Sequence, residues 1–343
     1  MKSTSLLALV LIGASEVASF SPTNHHANII KQKKPQVFSK QLQSSLNIRG
    51  GSNNMSMSSS ALASFLGPAA EALGTTLVSG TPLRAIGGLF AISSLVILPL
   101  TMIRQGYAFS VGYGFSVAAM GTALLSSFGV GLSTMKTPPA ILAFAACIYG
   151  LRLALFLLLR EFSVDSKREQ IKSFDKSPRL KRIPFALSVS LLYSFMVSPS
   201  LFALRGSVSI GTALGNIQLV STCVAVFGLL LEALADQHKY EAKRKSKEGE
   251  DKFVGPTTWS YKLVRHPNYL GEILFWAGLF GAGSVTFQKS ISAWTCGSLG
   301  LFAISNLMLG ASQRLDAKQQ EKYAGQTKYE EWKAKYSVIP FFK

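Results

Sequence analysis

Leu263-Val-Arg-His-Pro-Asn-Tyr-Leu-Gly-Glu-Ile-Leu-Phe-Trp276 drives a basic, polar helix start directly into an apolar segment. Proline is favoured in the first turn of a helix, where its missing N–H costs nothing, so Pro267 marks where that helix begins. A helix start carries partial positive charge and free amide donors. With Lys262 and Arg265 beside it, the place suits an anionic phosphate. Lys243 and Arg244 can approach from the preceding basic segment. Lys245 and Lys247 read instead as charges following anionic lipid head groups.

The whole chain fits a membrane setting. Its 343 residues are 48% hydrophobic and only 15% charged, against about 25% charged in soluble domains, and the mean hydropathy is +0.29. Apolar windows run over 83–103, 107–128, 138–159, 183–204, 210–235, 269–283 and 291–310. Most approach the ~20 residues a helix needs to cross the hydrocarbon, and lipid leaves unpaired backbone no partner outside a helix. The expected fold is therefore an all-α polytopic membrane domain over residues 83–343, with six to eight spans and seven preferred. Seven spans would place 24 Lys or Arg on one side of the membrane and four on the other, the asymmetry expected of alternating topology.

The net charge of +18 lies in short segments between apolar runs, with no single patch interleaved with aromatics, which argues against nucleic-acid binding. Cys147, Cys223 and Cys296 each sit inside an apolar run at wide spacing, which gives neither a disulfide framework nor a metal-ligand set. Residues 1–19 have the basic start, short apolar core and small residues of a signal peptide. Residues 20–60 are rich in Ser and Asn and lack Asp and Glu, so they read as a disordered, transit-like segment. This two-part start resembles the presequences of algae with complex plastids. Plastid and endoplasmic reticulum membranes are the two expected destinations.

Four ionisable residues stand where an apolar span should exclude them. Arg152 lies in the third span, where a charge costs at least ~2.5 kcal/mol unless paired. Glu232 and Asp236 are spaced i, i+4 on one face of the fifth, and Glu272 stands in the first turn of the sixth. All four converge at one membrane depth. A purely structural pairing of Arg152 with Glu232 or Asp236 is an equal alternative. His266, between Arg265 and Pro267, is a helix cap or a cofactor contact, and His238 reads as a loop residue.

Arg265-His-Pro-Asn-Tyr-Leu-Gly-Glu-Ile273, with Ala235-Asp-Gln-His-Lys239 upstream, Tyr149-Gly-Leu-Arg-Leu-Ala154 in the third span and Tyr336-Ser-Val-Ile-Pro-Phe-Phe342 at the end, resembles the steroid 5-alpha-reductase C-terminal domain family. The similarity covers roughly residues 83–342. It implies a bundle of about seven transmembrane helices that holds NADPH and reduces a carbon–carbon double bond conjugated to a carbonyl in a lipophilic substrate. Asn268 and Glu272 would hold the nicotinamide end, Asp236 would help seat the dinucleotide, and Lys243 and Arg265 would face phosphates, with Arg152, His266 and Tyr269 completing the cofactor set.

The chain departs from the family's pattern at three places. Spans one to three contain no interior Asp or Glu, which leaves Tyr107 and Tyr113 as the phenols of span two, with Tyr113 the expected proton donor. His238-Lys239 replaces the more usual Gln-Lys, and Glu232 stands where steroid reductases often have Asn. Two other readings remain. Isoprenylcysteine carboxyl methyltransferases also carry an Arg-His-Pro-x-Tyr-x-Gly string and use S-adenosylmethionine, and a non-enzymatic membrane protein is the third. Gly271-Glu272 with Ala235-Asp236 favours the reductase.

Overall fold

Each of the seven apolar windows folds as a helix in the computed structural model, which describes residues 59–206, 208–245, 253 and 255–338. The presumed signal and transit segments lie outside the described residues, apart from the last two positions of the latter, which open helix α1. In chain order the helices are α1 Ser59–Ser79, α2 Pro82–Ile103, α3 Val111–Ser127, α4 Pro138–Ser163, α5 Asp165–Lys172, α6 Ile183–Arg205, α7 Ala213–Lys245, α8 Pro267–Ser284, α9 Ile291–Tyr323 and α10 Thr327–Lys335. No strand occurs among the described residues. The described residues from Ala72 onward fall in one compact unit, and residues 59–71, the opening of α1, fall in another.

Five helices, α2, α4, α6, α7 and α9, are long and apolar enough to cross a membrane. Helices α3 and α8 are shorter, at 17 and 18 residues. The result is an all-helical integral membrane architecture. Its outer surface shows the same solvent, since Leu95, Val220 and Phe302 each stand more than half exposed, an arrangement that lipid tolerates and water penalises.

Helix starts follow the sequence. Thr81 caps α2 by accepting from the Arg84 amide at 3.4 Å, and Ser290 caps α9 by accepting from Ala293 at 3.3 Å. The ends of α7 and α9 overrun their apolar windows, and this corrects the reading of His238 as a loop residue. It sits within α7, which continues to Lys245. The overrun is polar but still helical, held partly by an i, i+4 bond from Gln237 to Glu241 at 2.7 Å.

Two helix pairs pack backbone to backbone. A Cβ on Gly271 of α8 would lie 2.6 Å from the Glu232 amide of α7, and one on Gly114 of α3 would lie 2.5 Å from the Gly150 carbonyl of α4. In lipid, no hydrophobic drive separates helix from helix, so close approach through small residues supplies the attraction. This contact brings the carboxylates of α7 and α8 within reach of one another.

Arginines tie chain segments together at both ends of α6. Arg205, at the last turn of α6, donates to the carbonyls of Thr76, Leu77 and Gly80. At the opposite end Arg182 bonds Asp175 at 3.1 Å and the Thr101 carbonyl at 3.2 Å, and the ends of α4, α7 and α9 meet there. An aromatic cap of Phe253, Tyr261, Tyr329 and Trp332 closes over Ala235 at that basic end.

Candidate functional site

The polar residues of α3, α4, α7 and α8 form two linked groups in the bundle. In the first, Arg152 of α4 donates to Glu232 at 2.5 Å and to Asp236 at 3.2 Å. The i, i+4 spacing on α7 presents both carboxylates to one guanidinium, as the sequence implied. The second group centres on Tyr113 of α3. Its hydroxyl donates to Glu272 of α8 at 2.9 Å, lies 3.0 Å from the Tyr149 hydroxyl of α4, and accepts from the Trp276 indole N–H at 2.9 Å. Tyr113 and Glu272 are each 7% exposed.

Tyr113, Glu232, Asp236 and Glu272 of these groups line a cavity of 380 Å³. Tyr113, Glu272 and Asn268 line it together with the aliphatic side chains of Leu153, Val189, Met196, Ile304 and Met308. Toward the basic end it reaches Arg160, Lys167, Lys239 and Lys243. A second cavity of 180 Å³ shares Lys239, Lys243 and Leu315 with the first and adds Lys318, Lys322, Tyr261 and Trp332. Burial and the neighbouring Arg160, Lys243 and Lys318 push the Lys167 ammonium down to about 8, which shows how dense the positive charge is at this mouth.

The structure gathers most of the expected site residues, although not all in the expected role. Asp236, Lys243, Asn268, Tyr269 and Glu272 line the larger cavity. Arg152 sits behind Glu232 and Asp236 as their counter-ion. Arg265 edges the smaller cavity, but its guanidinium grips Asp316 of α9 at 3.0 and 3.1 Å and donates to the carbonyls of Lys333 and Tyr336 at 2.9 and 2.7 Å. Its fork is spent on the chain itself, which leaves little for a phosphate.

The start of α8 differs from the sequence reading for a similar reason. The amides of Tyr269 and Leu270 both bond the His266 carbonyl at 3.1 Å, so two of the donors expected to face an anion are satisfied locally. His266 is fully buried, 3.6 Å from Asp316. Burial lowers its pKa from the usual imidazole value, with the Asp316 carboxylate opposing, so the ring is neutral at neutral pH. The Arg265 and His266 amides bond the Ser337 and Val338 carbonyls, which explains why the terminal Tyr336-Ser-Val motif accompanies the Arg-His-Pro-Asn string.

Removing the Asp316 partner should release this clasp. Asp316→Asn is expected to destabilise the C-terminal segment by about 1–3 kcal/mol, since hydrogen bonds to a charged group are lost around a buried guanidinium. Limited proteolysis should then cut near residues 324–338 in the variant before the wild type. Equal cutting of the two would show the clasp to be inconsequential.

Sequence reasoning missed Asp316, Tyr149, Trp276 and the cations Arg160, Lys167, Lys318 and Lys322. Lys318 and Lys322, like Lys239 and Lys243, are spaced i, i+4, so each pair shares a helical face. That signal becomes legible once α7 and α9 are known to continue past their apolar windows. Among the described residues no cluster of His, Cys, Asp or Glu is arranged to hold a metal ion.

One family model, described as a protein of unknown function (DUF1295), matches residues 107–336. That interval contains every residue of the two cavities. No curated protein and no solved structure matches the chain.

Proposed function

This chain belongs to the family described as a protein of unknown function, DUF1295, and on that footing we propose that it is a membrane-embedded, NADPH-dependent reductase of a carbon–carbon double bond conjugated to a carbonyl. The observation that carries the reading is the Tyr113 hydroxyl, bonded to Glu272 in a cavity whose lining combines aliphatic side chains with lysines. A lipophilic enone fits the aliphatic part and a dinucleotide phosphate the lysines. Sterols, isoprenoids and fatty enones are the substrate classes proposed, in a plastid or endoplasmic reticulum membrane.

The residues present fit NADPH. Asn268 Oδ1 is buried without a hydrogen-bond partner, and a carboxamide N–H is the donor it lacks. Lys167, Lys239, Lys243, Lys318 and Lys322 supply the positive charge that three phosphates require. When bound, the cofactor would supply a hydride to the β-carbon of the substrate. The chain's own part is to hold the carbonyl against the Tyr113 hydroxyl, deliver that proton, and keep water out with aliphatic walls. The carboxylate beside the phenol comes here from α8, late in the chain, which meets the lack of an acidic residue in the early spans.

The lysine-rich mouth also bears on the methyltransferase alternative, because S-adenosylmethionine carries a sulfonium cation and no phosphate. Wild-type protein in nanodiscs, given NADPH and trans-2-dodecenal or a long-chain enone, is expected to oxidise NADPH with formation of the saturated carbonyl compound. Methyl transfer without any NADPH oxidation would refute the reductase. Reversing two mouth charges, Lys239→Glu with Lys318→Glu, should weaken NADPH binding at least ~10-fold, since each charge-assisted bond contributes roughly 1.5–3 kcal/mol. An unchanged Kd by nicotinamide fluorescence would move the phosphate site elsewhere.

A further inference from the structure

We propose that Tyr149 and Trp276 are positioning residues for proton delivery, holding the Tyr113 oxygen with two donated hydrogen bonds so that it can carry negative charge inside the bundle. The inference rests on the reductase reading of the same cavity. A phenol has one hydrogen to give and two lone pairs to receive. The Tyr113 hydrogen is directed at Glu272, and an indole N–H can only donate, so Trp276 fills one lone pair. Tyr149, 3.0 Å away and also beside Glu272, is the donor available to the other. All three positions on one buried oxygen are occupied.

Packing alone does not require this. Tyr193 also lies against the Tyr113 ring, with centroids 4.8 Å apart, yet its hydroxyl turns away to the Ala108 carbonyl at 2.9 Å. Tyr149 and Trp276 are 0% and 2% exposed, and both direct their polar atoms at the same oxygen. Such a convergence matters when charge develops. In the reduction, the substrate's β-carbon gains a hydride from reduced NADPH, and its double-bond electrons move to form an enolate. Tyr113 turns its O–H from Glu272 to the enolate oxygen and gives up its proton there, forming an enol that tautomerises by proton exchange with water to the saturated carbonyl compound. The electron pair of the broken O–H bond stays on Tyr113 as a phenolate, which regains a proton from water through the cavity mouth.

Two fixed donors at hydrogen-bond distance from an emerging anion do what an oxyanion hole does, because they need no rearrangement when the charge appears. A neutral Glu272, by reversing its bond, would add a third. Without Tyr149 and Trp276, the phenolate would form against a hydrocarbon wall, where an unpaired charge is costly.

The test is a mutant cycle on the wild-type reaction with NADPH and trans-2-dodecenal. Tyr149→Phe and Trp276→Phe should each lower kcat by roughly tenfold to a hundredfold, with KM and NADPH affinity held within about twofold. In a Tyr113→Phe background, adding Tyr149→Phe should change kcat by less than about twofold, because a residue that acts through Tyr113 has nothing left to act on. A readout free of turnover is the infrared C–O stretch of labelled tyrosine, with the Tyr113 band assigned by its loss in Tyr113→Phe; it should shift in Tyr149→Phe. Additive losses in the double variant, or an unmoved band, would overturn the positioning role while leaving the reductase intact. A wild-type protein that binds NADPH but reduces no enone would overturn both. Should Trp276→Phe fail to fold, the Tyr149 arm decides alone.

Discussion

Tyr113→Phe is expected to abolish most enone reduction, with kcat lowered by roughly 10²–10⁴ while NADPH still binds. The size follows from the placement of the residue. Its hydroxyl stands beside Glu272 in the wall of the cavity, which also carries the aliphatic side chains of Leu153, Val189, Met196 and Ile304. Glu272 is the nearest alternative acid, but its proton would have to be replaced across the same apolar space. The substitution also leaves the buried Trp276 N–H without its acceptor, a loss of about 1–3 kcal/mol in stability. The variant should therefore unfold at a lower temperature as well as turn over slowly. Measuring NADPH affinity and melting alongside kcat separates the two effects. A Tyr113→Phe protein with wild-type kcat would remove this residue from the chemistry.

Arg152→Met is expected to cost more in stability than any other single change considered, about 3–5 kcal/mol. Arg152 faces two carboxylates, and Glu232 is only 2% exposed. Taking away the guanidinium strands both acids in the bundle, with a third, Glu272, on the neighbouring helix. Replacing the acid together with the base should restore much of the loss. Arg152→Met combined with Glu232→Gln is thus expected to melt closer to wild type than Arg152→Met alone, and detergent-solubilised protein followed by circular dichroism can show it. Equal melting of the single and double variants would mean that the cation's role is not charge balance. Arg152 was expected among the cofactor residues, and both roles survive this arrangement: a counter-ion that sets the α7 carboxylates also sets the wall against which a dinucleotide would lie.

The helices were largely legible because lipid leaves few choices. Seven apolar windows became seven helices, five of them long and apolar enough to cross a membrane. What the windows could not show was the polar continuation of α7 and α9, since hydropathy falls where a helix leaves the bilayer although its hydrogen bonding does not. His238 was misread as a loop residue for that reason. The lysine pairs at 239/243 and 318/322 went unrecognised as two faces of one mouth for the same reason.

The site was readable only in part. Arg152, Glu232 and Asp236 could be paired from spacing and depth, because unpaired charge in a span is forbidden almost regardless of fold. Tyr149 and Trp276 carry no such mark. An aromatic residue in an apolar span is ordinary, and only the packing of α4 and α8 around α3 turns both polar atoms toward Tyr113. Arg265 shows the opposite error. Basic residues beside a helix start suggested a phosphate site, yet Asp316, 51 positions away, takes the guanidinium for a structural clasp. Distance along the chain hid the partner.

The central claim is that one cavity joins a phosphate-binding cationic mouth to a proton-donating phenol. Titration of purified wild-type protein with NADPH, read by nicotinamide fluorescence and repeated with the Lys239→Glu/Lys318→Glu variant and with S-adenosylmethionine, tests it most directly. Saturable NADPH binding that weakens in the variant and resists competition by S-adenosylmethionine is the predicted result. Binding of S-adenosylmethionine with no measurable affinity for NADPH would contradict it.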